Sequence, residues 1–194
     1  MNINNLNNII NKEELIDLNA MINQFLTKNI FIKIDHISLS TKTLNNLKTL
    51  EKELLARGAN SLHTIKKWTG SKTDKTSREY HKHIFTVTLD NLSIVGVSPA
   101  SDNDQIDKYM HNKKNTVIHH IAFLVQNLDK AILNFDKYFN YKLLTTERDN
   151  QEQIQQVFLK NTNDLPLIEL VYRKNKTIFQ LTNQNITNLS ASLS

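Results

Sequence analysis

Seven histidines and no cysteine set the chemical vocabulary of this chain. Thiolate nucleophiles, disulfides and zinc–thiolate sites are excluded, so any metal must be held by His, Asp or Glu. His36 lies in the run FIKIDHISLS and His120 in TVIHHIAFLV, each followed by isoleucine in a strand-like segment. Glu169 sits in LPLIELVY, where an ionised carboxylate among apolar neighbours is costly without a partner such as a cation. His81 and His83 share one face of the strand-like run HKHIFTVTLD, and imidazoles that titrate near neutrality can move protons. Each has a bland reading beside it. A lone strand histidine is more often a hydrogen-bonded structural residue, Glu169 could face solvent, and His81 and His83 could lie on a solvated edge.

Strand alternation places His36 and His120 on the face opposite Ile37 and Ile121, so the imidazoles look away from whatever the isoleucines pack under. By the same rule His119 points opposite to His120 and is read as structural. Trp68, Phe85 and Phe158 are read as core or pocket wall rather than as a recognition device. His63 and His111 receive no role.

The elements that must position these residues follow from periodicity. Residues 1–29 carry Leu6, Ile9, Ile10, Leu15, Leu18, Ile22, Phe25 and Leu26 at helical spacing, predicting a helical extension that packs on the body or covers an edge. Residues 30–100 read as strand, helix, then three strands. The helix carries Leu44, Leu47, Leu50, Leu54 and Leu55 and ends near Gly58, and Asp90-Asn91 marks a turn between the last two strands. Residues 101–115 read as a linker with a short helix around Asp104 to His111. Residues 116–173 repeat the same order of elements, and residues 174–194 form a tail. Ile34-Asp35-His36-Ile37 matches Ile118-His119-His120-Ile121, and holding that register without a gap sets Leu44 on Leu128 at the start of each helix. A register shared through strand, turn and helix marks an internal duplication.

Bulk properties bound the partners. A chain of 194 residues with 39% apolar content can bury a sizeable core. The net charge of +5 is spread along the chain without interleaved aromatics, which argues against nucleic acid. One cluster, Lys66, Lys67, Lys72, Lys75, Arg78 and Lys82, reads as a solvated loop that could also draw in an anionic small molecule. No apolar run reaches the roughly eighteen residues of a membrane span, and MNINNLNNII lacks the basic flank and apolar stretch of a signal peptide, so a cytoplasmic protein is expected.

The segments HHIAFLVQNLDKAILNF and VFLKNTNDLPLIELVYR resemble the half-unit of the vicinal-oxygen-chelate superfamily, which includes glyoxalases, bleomycin-resistance proteins and extradiol dioxygenases. IDHISLSTKTLNNLKTLEKELLARGA and IFTVTLDNLSIVGVSPA form a more divergent copy, and together they cover roughly residues 30 to 173. The resemblance implies an α+β fold: two βαβββ modules pairing into a curved-sheet cup, with the N-terminal helix added. It implies a divalent metal held by first-strand ligands at His36 and His120 and a last-strand ligand at Glu169. Setting Leu92 on Leu165 puts Gly96 in the place of Glu169, leaving no fourth protein donor. Glyoxalases and methylmalonyl-CoA epimerases usually supply a ligand there, whereas the dioxygenases of this superfamily use three.

Two histidines and one carboxylate suit Fe(II), with Mn, Co, Ni or Zn as alternatives. The resemblance thus implies a metal-dependent dioxygenase-type oxidoreductase acting on a small molecule, with His81 or His83 moving protons. A glyoxalase- or epimerase-like lyase or isomerase is the second expectation, and a metal-free, resistance-type binding protein the third. The stretch before Glu169 lacks the His, Tyr and Pro pattern of extradiol ring cleavage, which speaks against catechol chemistry. Half-units of this kind pair within one chain or exchange between two, so a homodimer is an open expectation.

Overall fold

The computed structural model describes residues 6, 9–10, 12–69, 81–102, 104–144, 154–162 and 166–174. The first half comprises β1 (Lys33–Thr41), α2 (Leu44–Ala56), β2 (Asn60–Thr69), β3 (His81–Leu89) and β4 (Leu92–Pro99), preceded by α1 (Lys12–Thr27). A short helix, α3 (Gln105–Met110), leads to β5 (Thr116–Leu124), α4 (Leu128–Phe139), β6 (Lys142–Leu143), β7 (Ile154–Lys160) and β8 (Leu167–Arg173). Both halves therefore have the expected βαβββ order. The strands form one eight-stranded mixed sheet in the order β2-β3-β4-β1-β5-β8-β7-β6. β1 runs parallel to β4 and β5 parallel to β8, while β1 and β5 pair antiparallel at the centre, so the sheet repeats about its own middle.

Local chemistry explains the repeated elements. Thr43 caps α2 by accepting from the Asn46 N–H, and Asn127 caps α4 by accepting from the Lys130 N–H. Thr43 and Asn127 share the 84-residue offset that separates His36 from His120, so the duplication extends to the caps. α2 ends where Gly58 takes φ +88°, and α4 ends at Asn140 with φ 54°, both left-handed positions that stop a helix. Asp90 and Asn91 also have positive φ, 49° and 66°, as a two-residue hairpin turn between β3 and β4 requires.

One face of the sheet is covered by helices. Leu47, Leu50 and Leu54 of α2 pack with Ile37, Leu39, Phe85, Val87 and Ile94, while Leu55 is exposed because it lies off that stripe. α1 belongs to this layer. Its Phe25 meets Phe135 and Phe139 of α4 edge-on at 4.7 and 4.4 Å and Phe123 of β5 at 5.6 Å, so the extension packs on the second module. Among the described residues no helix is long and apolar enough to cross a membrane.

The opposite face carries His36, Ser38 and Ser40 of β1 in alternation. On the first-half side it is filled by α3, whose Ile106 and Met110 pack with Ile84, Val95, Val97 and Val117. The expected short helix forms behind an N-cap, Asp104, which accepts from the Asp107 and Ala100 N–H groups at 2.8 and 3.0 Å. The segment read as a linker is thus a piece of the inner wall. Lys72, Lys75, Arg78, the side chains of Trp68 and His81, and the tail beyond residue 174 lie outside the described residues.

Candidate metal centre

The candidate site is built at the seam between the two modules. Pairing of β1 with β5 slips twice, between Ile34 and His36 and between Ser38 and Leu39, so that Asp35 and His119 are each the extra residue of a bulge. The two bulges are repeat partners, each directly before its histidine. A bulge re-aims side chains, and here it brings both members of each pair into the same buried cluster. The regular alternation expected at His119 is therefore corrected: His119 Nδ1 lies 2.8 Å from His120 Nδ1.

His36, His120 and Glu169 converge. His36 Nε2 and His120 Nε2 are 3.1 Å apart, and each is 3.2 Å from Glu169 Oε2. All three residues are buried, at 4%, 2% and 2% exposure. Ligand distances of about 2.1 Å at right angles put neighbouring donor atoms about 3 Å apart, so this triangle has the dimensions of one face of an octahedral sphere. The donor set is nitrogen and oxygen, as a first-row divalent cation prefers.

Position on the sheet shows which first-module residue stands in the place of Glu169. Glu169 of β8 pairs with Ala122, two residues beyond His120, and the residue that pairs two beyond His36, with Ser38, is Val95. Val95, not Gly96, stands in the place of Glu169. The sequence register was one residue off, and Gly96 faces the helical side, where an added Cβ would lie 2.1 Å from Phe85 Cε1. The conclusion drawn from glycine survives the correction, because valine brings no donor either.

Behind the triad the halves differ. His36 Nδ1–H donates to Asp35 Oδ2 at 3.0 Å, and Arg173 donates to both oxygens of Asp35, from Nε at 3.3 Å and Nη2 at 2.7 Å. His120 has the imidazole of His119 instead, and the ring of Tyr109 on α3 stands against His119 at 4.6 Å between centroids. Phe158 of β7 meets His120 edge-on at 5.6 Å and so forms wall rather than core. Phe85 is core, on the helical side.

Electrostatics follow this layout. Burial opposes charge on His36, yet the carboxylates of Glu169 and Asp35 outweigh it and hold its pKa up at about 9. Burial would raise the Glu169 carboxyl, but the two facing imidazoles pull it well below the usual range. Asp35 is likewise lowered against its burial, by His36 and Arg173. Burial dominates at His120 and His119, whose pKa values are pushed down, the latter strongly. Without a cation the triad is a proton-sharing cluster around one buried anion.

The structure does not bring His83 to this cluster. It pairs with Ser98 and shares the parity of Phe85 and Val87, which face the helices, and its Nδ1 lies 3.2 Å from the Pro99 carbonyl oxygen. The backbone of His81 has the same parity. Lys82, between them, faces the inner side instead. It is buried, and burial brings its pKa down to about 7 against the opposing pull of Asp104. Lys66 and Lys67 of the same sequence cluster are exposed. Lys82 was grouped with a solvated loop because nothing in its neighbourhood marks the change of environment. An open groove of about 630 Å³ lined by Met21, Phe25, Tyr138 and Asn161 lies among helical-side elements and shares no residue with the triad.

No protein-family model matches the chain, and no curated protein matches it. Solved structures do. A triple mutant of 4-hydroxymandelate synthase from Streptomyces coelicolor superposes with a TM-score of 0.64 at 14% identity, covering 84% of this chain and 54% of that one. This chain thus spans about half the length of that protein. A hypothetical protein from Bacillus halodurans (TM-score 0.53, 18% identity, 75% of this chain and 97% of that chain) is also similar. So is methylmalonyl-CoA epimerase from Mycobacterium tuberculosis (0.52, 17%, 76% and 91%). At these identities the likeness establishes the fold alone, an α+β arrangement of two βαβββ modules as the repeat predicts.

Proposed function

With that fold as premise, we propose that the protein is a metal-dependent enzyme acting on a small molecule, and that His36, His120 and Glu169 hold a divalent cation, Fe(II) by preference. One observation carries this reading: three buried donor atoms from strands of two modules lie 3.1 to 3.2 Å apart. A buried carboxylate flanked by two imidazole nitrogens is an expensive arrangement unless a charge is there to share. Iron(II) held by His36, His120 and Glu169 would supply Lewis acidity and one-electron chemistry.

The chain's own groups do the rest. Each histidine offers Nε2, which requires that Nδ1 be engaged elsewhere, and both Nδ1 atoms are. Val95 keeps the fourth position apolar, so protein donors occupy three places and leave the others for substrate. Phe158, Ala122 and Val171 exclude water around His120 and Glu169. Neither His83 nor the backbone position of His81 favours the proton-moving role anticipated for them. Lys82, with a pKa near neutrality on the inner face, is better placed for one.

Metal analysis of protein purified anaerobically, with His120→Ala beside it, tests the reading. A stoichiometric cation lost in the variant supports it, and equal, near-zero metal in both ends it in favour of metal-free binding. Oxygen uptake during turnover then separates oxygenase from isomerase chemistry, because product formed at full rate without dioxygen excludes the former.

A further inference from the structure

We infer that Asp35, clamped by Arg173, is a positioning residue that locks His36 with Nε2 directed at the cation, making the first-module histidine the anchored ligand of the pair. This rests on the proposed metal site. The geometry is specific: Asp35 Oδ2 accepts from His36 Nδ1–H at 3.0 Å and from Arg173 Nη2 at 2.7 Å, and the second Asp35 oxygen takes the Arg173 Nε–H at 3.3 Å. The side chains of Asp35, His36 and Arg173 are all buried, at 6%, 5% and 5% exposure. A planar guanidinium bound to both oxygens fixes the carboxylate in its plane, and the carboxylate fixes the imidazole tautomer and ring angle.

The position of Asp35 is what makes the arrangement possible. In a regular strand, Asp35 would face away from His36. The bulge turns it back, and Arg173 reaches it from β8, four residues beyond Glu169 on the same face. The equivalent bulge residue of the second module is His119, whose Nδ1 lies 2.8 Å from His120 Nδ1. The two metal-facing histidines are therefore backed unequally, by an ion pair on one side and an imidazole on the other.

The test is titration of metal-free full-length protein with Co²⁺ alone, followed by calorimetry and by the visible absorption of the ion, with thermal melts of each metal-free variant. Asp35→Ala is expected to weaken Co²⁺ binding by about 10- to 100-fold. Asp35→Asn keeps an acceptor for Nδ1–H and should lose less, and Arg173→Lys, which keeps the charge but not the two-point clamp, should fall between wild type and Asp35→Ala. If Asp35→Ala fails to fold, the Asn and Lys variants carry the comparison. Variants that melt lower but bind Co²⁺ as tightly as wild type make the ion pair merely structural and overturn the inference, leaving the metal site intact. A wild type that takes up no Co²⁺ overturns the metal site and this inference together.

Discussion

Glu169→Gln isolates the charge at the centre of the cluster. Gln keeps the shape of the side chain and removes the anion lying 3.2 Å from both imidazole nitrogens. In metal-free wild type, the pKa of His36 rises from 6.5 to about 9, with Glu169 the larger of its two supporting carboxylates. The folded state then binds more protons than the unfolded chain between these values, so this contribution is complete below pH 6.5 and is lost as pH rises through about 9. At about 1.4 kcal/mol per pKa unit its ceiling is about 3 kcal/mol. Lys82 titrates over an overlapping interval with the opposite sign, because its pKa falls from 10.5 to about 7 in the folded state. The wild-type slope alone is therefore uninformative, and the difference between wild type and Glu169→Gln, in which Lys82 is common, is the quantity to measure. Melts in EDTA at pH 6 and pH 9.5 should show the advantage of wild type shrinking by most of that ceiling, at roughly 2–4 °C per kcal/mol for a chain of this size. Adding Co²⁺ to wild type should reverse the trend, since cation and protons compete for the same nitrogens. Parallel stability–pH curves for the two metal-free proteins would refute the coupling of His36 to Glu169.

Two further outcomes follow from the burial and register described above. Lys82→Met should melt higher than wild type at pH 7, by on the order of 2 kcal/mol, with the advantage fading towards pH 10.5 as the wild-type amine becomes neutral in both states; equal melts at pH 7 would show that the buried amine carries no penalty. Val95→Glu should tighten Co²⁺ binding by adding a carboxylate where Glu169 stands in the other module, whereas Gly96→Glu should only destabilise, because its Cβ meets the Phe85 ring; a gain from the Gly96 variant would restore the register that the sequence suggested.

How much was legible depended on which signals are local. The duplication was, because His36 and Leu44 and their partners His120 and Leu128 keep one offset through strand, turn and helix. The convergence of His36, His120 and Glu169 was anticipated from that repeat and its family resemblance. The place of Gly96 was misjudged because Leu92 and Leu165 are not equivalent, and a one-residue slip moves every side chain of a strand to the other face. The bulges at Asp35 and His119 left no mark in composition, so alternation misplaced His119 and gave Asp35 no role. The short helix around Asp104 to His111 was anticipated, but its burial against Val95 and Val97 depends on tertiary packing that a polar segment does not advertise.

The central pairing of β1 with β5 has a consequence for entry. His36 and His120 hang from adjacent strands of one hydrogen-bonded ladder, so the modules cannot part like the shells of a clam without tearing the sheet. Any doorway to the cluster must open by moving what lies over the sheet. Among the described residues of the first module that means α3, whose Tyr109 already leans on the imidazole behind His120.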